Sequence, residues 1–234
     1  IYLVTNNPDA SEDIWSLPNG WSSTSTTNSI SVTSGATGTG TITVKAKNSC
    51  GTSAAETLNV TVKAGTPATP GTITGDAQVC PGKSKTYSIA AVTGATEYIW
   101  TFPSGWSGSS NTNSIDLTTG TSGNGTITVK AINDCGTSAA KILAVSVKPG
   151  TPAVPSTISG NIDICPGTTN TYSIAAVANA TSYEWILPNG WTGTSSTTSI
   201  NAISNSSGGD IKVKAINDCG TSAFQTLPVT IKAG

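Results

Sequence analysis

The chain has 234 residues, of which about 30% carry a small hydroxyl side chain (40 Thr and 31 Ser). It contains no His, no Met and no Arg, and its net charge is −1. These numbers exclude a Ser-His-Asp triad, a His-based metal site and a basic surface for nucleic acid. No apolar run approaches the 18 residues of a membrane-spanning helix, so we expect no membrane insertion.

The sequence repeats with a period of 85 residues, shortened by one residue in the last copy. The positions that carry the period are Trp15, Trp100 and Trp185; Trp21, Trp106 and Trp191; and Cys50, Cys135 and Cys219. We therefore predict three domains: repeat 1 (1–64), repeat 2 (71–148) and repeat 3 (156–232). Two Pro-rich linkers, 65–70 and 149–155, join them, and such linkers favour an extended, rod-like arrangement.

In chain order, the strand-like segments of repeat 2 are 72–79, 86–92, 97–102, 113–118, 125–132 and 140–147. Alternation places one set of side chains inward: Tyr87, Ile89, Tyr98, Trp100, Phe102, Ile115, Leu117, Ile127, Val129 and Ala131. Either Ile142 or Leu143 leads the inward row of the last strand. The pattern predicts an all-β fold of tandem Ig-like sandwich modules, each with about seven strands.

The start of repeat 1 is incomplete when it is compared with the other copies. The position equivalent to Cys80 would have the number −5, before Ile1, so we expect repeat 1 to lack its first strand. Further chain would complete this sandwich, or another molecule would donate a strand to its open edge. The sequence leaves both alternatives open.

Five cysteines are present, and the repeat suggests how four of them pair. We predict Cys80–Cys135 and Cys165–Cys219 disulfides, each within one repeat, and an unpaired Cys50. A Cys-based metal site is disfavoured because the chain has no Cys-x-x-Cys motif and no His. Disulfides persist in oxidising surroundings, so we expect an extracellular or outer cell-surface location.

One motif carries a family resemblance. Repeat 2 reads Tyr98-Ile-Trp-Thr-Phe-Pro-Ser-Gly-Trp106, followed by a Gly-Thr-Ile-Thr-Val-Lys-Ala block at 125–131, and repeat 3 has a related stretch at 183–191. This pattern resembles the PKD-like, immunoglobulin-like tandem repeats of Bacteroidota cell-surface proteins, including SprB-like gliding adhesins. The resemblance implies type IX secretion and a role in adhesion or gliding motility. Relatives also lie beside catalytic domains in secreted polysaccharide-degrading enzymes.

The tryptophans have two expected roles. Trp15, Trp100 and Trp185 lie among inward residues, so we predict that they pack in the core. Trp21, Trp106 and Trp191 follow a Pro-x-Gly turn at the rim. They either close one edge of the sandwich or form flat platforms on which sugar rings stack.

Four carboxylates are candidate ligands for a cation. Asp76, Asp134, Asp163 and Asp218 lie near the ends of the predicted sandwiches, where Ca²⁺ sites occur in related folds. Because Asp134 corresponds to Ser49 and Asp163 to Gln78, the acidic set shifts between copies. We therefore expect no cofactor, with calcium as the alternative.

Taken together, these features predict a non-catalytic structural or adhesive segment of a long repetitive surface or secreted protein. The expected partners are surface polysaccharide, other surface proteins and further copies of the repeat. The alternative is a carbohydrate-binding or spacer region of a secreted polysaccharide-degrading enzyme.

Overall fold

A computed structural model of the chain describes residues 1–35 and 38–232. Over these residues the secondary structure is entirely β, and no helix is long and apolar enough to cross a membrane. Repeat 1 contains the strands β1 (Tyr2–Leu3), β2 (Glu12–Ser16), β3 (Ser29–Ile30), β4 (Gly38–Asn48), β5 (Gly51–Thr52) and β6 (Glu56–Val62).

Repeats 2 and 3 contain equivalent sets of strands. Repeat 2 has β7 (Gln78–Val79), β8 (Ser84–Ser88), β9 (Glu97–Thr101), β10 (Ser114–Thr118), β11 (Asn124–Asn133), β12 (Gly136–Thr137) and β13 (Lys141–Val147). Repeat 3 has β14 (Asp163–Ile164), β15 (Thr169–Ser173), β16 (Ser182–Ile186), β17 (Ser199–Ile203), β18 (Gly209–Asn217), β19 (Gly220–Thr221) and β20 (Gln225–Ile231). The predicted all-β fold of tandem sandwich modules is therefore confirmed.

Each repeat is built from a large sheet and a two-stranded sheet. In repeat 3 the large sheet has the order β14-β20-β18-β16, with β19 beside β18, and β15 pairs with β17. The pairs are antiparallel except β14 with β20, which run parallel. Repeat 2 has the same arrangement, including a parallel pair of β7 with β13.

The core forms where the alternating rows of the two sheets meet. In β10 and β11 the predicted inward residues Leu117, Ile127 and Val129 are fully buried. The register pairs Ile127 with Leu143, which is half-buried, whereas Ile142 is exposed. The inward row of β13 therefore starts at Leu143, because residues paired across a sheet share one face.

A buried tyrosine ties the two-stranded sheet of each complete repeat to the segment before it. The Tyr87 hydroxyl donates to the Asp76 carbonyl oxygen at 2.9 Å, and that of Tyr172 donates to Asn161 at 3.0 Å. Burial raises the pKa of both phenols above the usual value. This geometry keeps the hydroxyls neutral and hydrogen-bonded.

The chain forms two compact units that do not coincide with the repeats. Unit 1 comprises 1–68 together with two loops of repeat 2, 92–96 and 131–138. Unit 2 comprises 69–91, 97–130 and 139–234. Two loops of repeat 2 thus belong to the same compact unit as repeat 1.

Candidate functional site

The predicted pairing of cysteines within single repeats is wrong. In the structure Cys80 of repeat 2 is bonded to Cys219 of repeat 3, across 139 residues of sequence and a Cα–Cα distance of 5.4 Å. Cys135 and Cys165 are free, exposed thiols, and Cys50 is also free, as predicted. The disulfide therefore joins two successive repeats.

Strand length explains why the predicted pairing fails. In repeat 3, Cys165 follows β14, whose partner residues lie at the end of β20, next to the start of β18. Cys219 lies beyond the other end of β18, a strand of nine residues. At about 3.3 Å per residue this strand holds the two cysteines roughly 30 Å apart. A disulfide needs Cα atoms within about 7 Å, so Cys165 and Cys219 cannot bond to each other.

Cys219 belongs to a turn with the sequence Asn-x-Cys-Gly, which we name the NxCG turn (residues 48–51, 133–136 and 217–220). In repeat 3 the Asn217 amide nitrogen donates to the Gly150 carbonyl oxygen at 2.8 Å and to that of Asn179 at 3.1 Å. The ammonium group of Lys148 lies 3.0 Å from the Asp218 carboxylate. The Asn217 side chain thus binds both its own domain and the incoming linker.

The glycine of this turn accommodates the linker directly. Gly220 has φ +142°, a conformation that side chains rarely adopt. A Cβ atom there would stand 2.7 Å from the methyl carbon of Thr151 in the linker. The Asn217 side-chain oxygen accepts a hydrogen bond from the Cys219 N–H at 2.8 Å, which fixes the turn that presents the sulfur.

The same joint recurs inside unit 1. Asn133 donates from its amide nitrogen to the carbonyl oxygens of Gly65 (2.8 Å) and Gly94 (3.0 Å). A Cβ atom on Gly136 would stand 2.6 Å from the methyl carbon of Thr66. The two joints therefore use equivalent residues, and the Lys-x-Gly-Thr-Pro linker and the NxCG turn form a matched pair.

An ion pair accompanies the joint in unit 1 as well. The Lys63 ammonium group bonds to the Asp134 carboxylate. This hydrogen bond and the charge of Lys63 lower the pKa of Asp134 below its usual value, and Asp134 raises the pKa of Lys63 in return. Both side chains are exposed, so the pair orients the linker more than it stabilises the fold.

The prolines of both linkers are buried: Pro67, Pro70, Pro152 and Pro155. A proline has a fixed φ, and burial of its ring restricts the segment further. In the sequence these segments have the composition of linkers, and the Lys-x-Gly-Thr-Pro pattern shared by 63–67 and 148–152 is the signal of a specific contact.

The rim tryptophans are not platforms for sugar stacking in the two complete repeats. Trp106 is 6% exposed and Trp191 is 7% exposed, so neither face of either ring is open to a ligand. The ring centroids of Trp106 and Tyr87 lie 6.4 Å apart, so Trp106 closes the edge of the sandwich. Trp21 is half-buried, and glycan contact there stays a prediction.

The other tryptophans have the expected inward position. Trp100 is buried, and Trp15 and Trp185 are half-buried. Each indole N–H donates to a backbone carbonyl oxygen twelve residues later, at 2.8 to 2.9 Å: Thr27, Thr112 and Thr197. These bonds tie the strand to the following loop while the ring covers the core.

The carboxylates considered for calcium face lysines. Asp76 lies 2.6 Å from Lys85, and Asp163 lies 3.8 Å from Lys232. Within 1–35 and 38–232 no group of three or more acidic, Cys or His side chains is placed to hold a metal ion. Calcium binding stays a prediction that chelation can test.

The chain was compared with protein families, curated proteins and solved structures. The PKD-like domain family matches residues 1–60, 66–145 and 151–229. No curated protein matches the chain. Among solved structures, the Escherichia coli adhesin FdeC is 19% identical, with a TM-score of 0.45 over 99% of this chain and 88% of that chain.

Two further solved structures are similar to this chain. The fibronectin-type domains FN1–FN3 of chicken contactin CNTN1 are 14% identical, with a TM-score of 0.43 over 82% of this chain and 75% of that one. Titin domains A168–A170 are 16% identical, with a TM-score of 0.45 and the same coverage. The family match extends over most of the sequence in three consecutive copies, and the chain therefore belongs to the PKD-like domain family.

Proposed function

We propose that the chain is a non-catalytic spacer that transmits tension within a long, repetitive cell-surface or secreted adhesin. The observation that carries this proposal is the Cys80–Cys219 disulfide, which joins consecutive repeats. A catalytic domain needs a preorganised site, whereas a spacer needs joints that keep their geometry when the ends are pulled.

The joints have the properties that such a spacer requires. Asn133 and Asn217 fasten each incoming linker by its carbonyl oxygen, and the linker threonine lies against the turn glycine. These contacts are hydrogen bonds from neutral side-chain amides to backbone carbonyl oxygens, together with close packing, and neither depends strongly on salt. The disulfide adds a covalent path for force between repeats 2 and 3.

An extracellular location is part of the proposal. The disulfide supports an oxidising compartment. The resemblance of residues 98–106 to the repeats of Bacteroidota surface proteins supports export by the type IX route and a role in attachment or gliding motility. Further copies of the repeat are the partners we propose first, with surface polysaccharide or other surface proteins bound elsewhere in the parent protein.

Labelling of intact source cells with a membrane-impermeant, amine-reactive reagent tests the location. Lys45 and Lys130 have exposed side chains in the structure and serve as reporters. We expect both to be labelled equally in intact and in lysed cells. Labelling that requires lysis would contradict the proposal, and a catalytic domain next to the repeats in the parent protein would favour the enzyme-linked alternative.

A further inference from the structure

The NxCG turn of repeat 1 has the form of a joint, yet no described residue occupies it. Asn48 donates to its own domain at the Asp9 carbonyl oxygen (3.0 Å) and accepts from the Cys50 N–H (2.9 Å), as the other two turns do. Its amide nitrogen has no linker carbonyl oxygen as a second acceptor among residues 1–35 and 38–232. Cys50 is a free, exposed thiol.

The space next to this turn is also open. Gly51 has φ +146°, like Gly136 and Gly220, but a Cβ atom there would meet nothing within 4 Å. The linker threonine occupies this position in both other joints. A hollow of about 280 Å³ borders the turn and is lined in part by Asp9, Asn48 and Cys50. The NxCG turn of repeat 1 therefore has the conformation, the hydrogen-bond donor and the free space with which the other two turns bind a linker.

The complementary half of a joint lies at the end of repeat 3, and we name it the exit end. In repeat 2 the exit end is Cys80 with Lys148, whose N–H donates to the Val79 carbonyl oxygen at 2.7 Å. In repeat 3 it is Cys165 with Lys232, whose N–H donates to the carbonyl oxygen of the residue before Cys165 at 2.8 Å. The same backbone bond thus places a lysine beside each cysteine.

We propose that each exit end binds the NxCG turn of a further copy of this repeat and forms a disulfide with it. Cys165 is then the bonding partner for a turn of the type that contains Cys50. Cys135 is not available for such a bond in the same way, because it lies in a turn whose linker is already seated.

The covalent step is an ordinary thiol–disulfide exchange. The Cys165 thiolate attacks a small-molecule disulfide such as oxidised glutathione, forms a mixed disulfide and releases one reduced thiol. The Cys50 thiolate of the second copy then attacks the Cys165 sulfur and releases the second reduced thiol. Two protons and two electrons pass to the oxidant, and one protein disulfide forms.

Repeat 1 differs from the other turns at one position that bears on affinity. Ser49 stands where Asp134 and Asp218 form ion pairs with the linker lysines. The Lys232 ammonium group of an incoming exit end therefore meets a hydroxyl instead of a carboxylate. A Ser49→Asp substitution restores the ion pair at an exposed site, where it does not disturb the core.

The test uses two variants of the full chain mixed at equal concentration in a glutathione redox buffer. The donor carries Cys50→Ser and Cys135→Ser, so that Cys165 is its free thiol; the acceptor carries Cys135→Ser and Cys165→Ser, so that Cys50 remains. We expect the mixed Cys165–Cys50 dimer to exceed its statistical share over the two homodimers by about tenfold, equivalent to about 1.4 kcal/mol. Non-reducing mass spectrometry of proteolytic peptides measures the three species.

Matched acceptors show whether the joint or mere thiol exposure produces the result. With Ser49→Asp the mixed dimer should increase, and with Ser49→Lys, which opposes Lys232, it should decrease. A statistical mixture of the three dimers would overturn the proposal, as would equal yields from the two charge variants. Either failure would leave the tension-bearing role of the Cys80–Cys219 bond intact, because that role is measured separately.

Discussion

Pulling on the two ends of the chain should reveal how the Cys80–Cys219 disulfide carries force. While the bond is intact, tension passes from Cys80 directly to Cys219, and the 139-residue stretch between them cannot extend. An extended chain spans about 3.4 Å per residue, so the bond conceals roughly 470 Å of length. The Cα–Cα distance of 5.4 Å across the bond is negligible by comparison.

Single-molecule force spectroscopy with tags at both ends measures this quantity. The oxidised chain should release only the segments outside the bond, about 95 residues or roughly 320 Å when fully extended. The variant with Cys80→Ser and Cys219→Ser should release about 470 Å more. A variant with Cys135→Ser, which retains the disulfide, is the matched control and should behave like the unmodified chain.

The result that would refute this reasoning is a total extension that is equal in the oxidised chain and the double variant. That outcome would mean that Cys80 and Cys219 are not bonded in the protein under load. The pairing within single repeats, Cys80–Cys135 and Cys165–Cys219, would instead conceal about 109 residues, or roughly 370 Å, so the measurement also separates the two pairings.

Three further predictions concern the core, the joint and metal binding. Trp191→Phe should lower the free energy of unfolding by about 1 kcal/mol more than Trp106→Phe does. The reason is that the Trp191 indole N–H donates to a carbonyl oxygen at 2.9 Å, whereas the Trp106 indole N–H has no partner among the described residues. Urea titration measures both free energies. The Asp134 pKa lies below its unfolded value, so the ion pair with Lys63 contributes above the unfolded pKa and is lost as the pH falls through the folded pKa. Because both side chains are exposed, Asp134→Asn should melt only slightly below the unmodified chain at pH 7, and this difference should vanish in strong acid. A difference that persists there would show that the ion pair with Lys63 is not its source. Excess chelator should leave the melting temperature unchanged, and a decrease would reveal a bound cation.

Much of each sandwich could be predicted from alternation in the sequence. Alternation predicts Tyr87, Leu117 and Ile127 in the interior, and all three are fully buried. Alternation is sufficient here because a strand exposes its two faces to different surroundings, so side-chain polarity records the direction of each residue. In the last strand of repeat 2, Ile142 and Leu143 are both apolar, so polarity does not show which of them faces the core. The register with β11 places Leu143 inward and leaves Ile142 exposed.

The rim tryptophans were ambiguous for a different reason. A tryptophan after a Pro-x-Gly turn has the same local sequence whether its ring lies over the core or points into solvent. Trp106 is buried because the loop after the turn returns across the edge of the sandwich, where Ser107 and Thr118 form a β-bridge. Such a closure depends on Thr118, twelve residues after Trp106, which the Pro-x-Gly-Trp motif does not contain.

The sequence by itself determined the number of repeats, their β structure and the inward rows, because periodicity and polarity are properties of neighbouring residues. Only the tertiary structure decided which cysteines meet. The repeat gives each domain two cysteines and so suggests pairing within it, but a nine-residue strand separates the equivalent positions of repeat 3. The folded linker instead brings Cys80 of one repeat to Cys219 of the next. A disulfide requires two sulfurs at bonding distance, and that distance is set by strand length and by the joint.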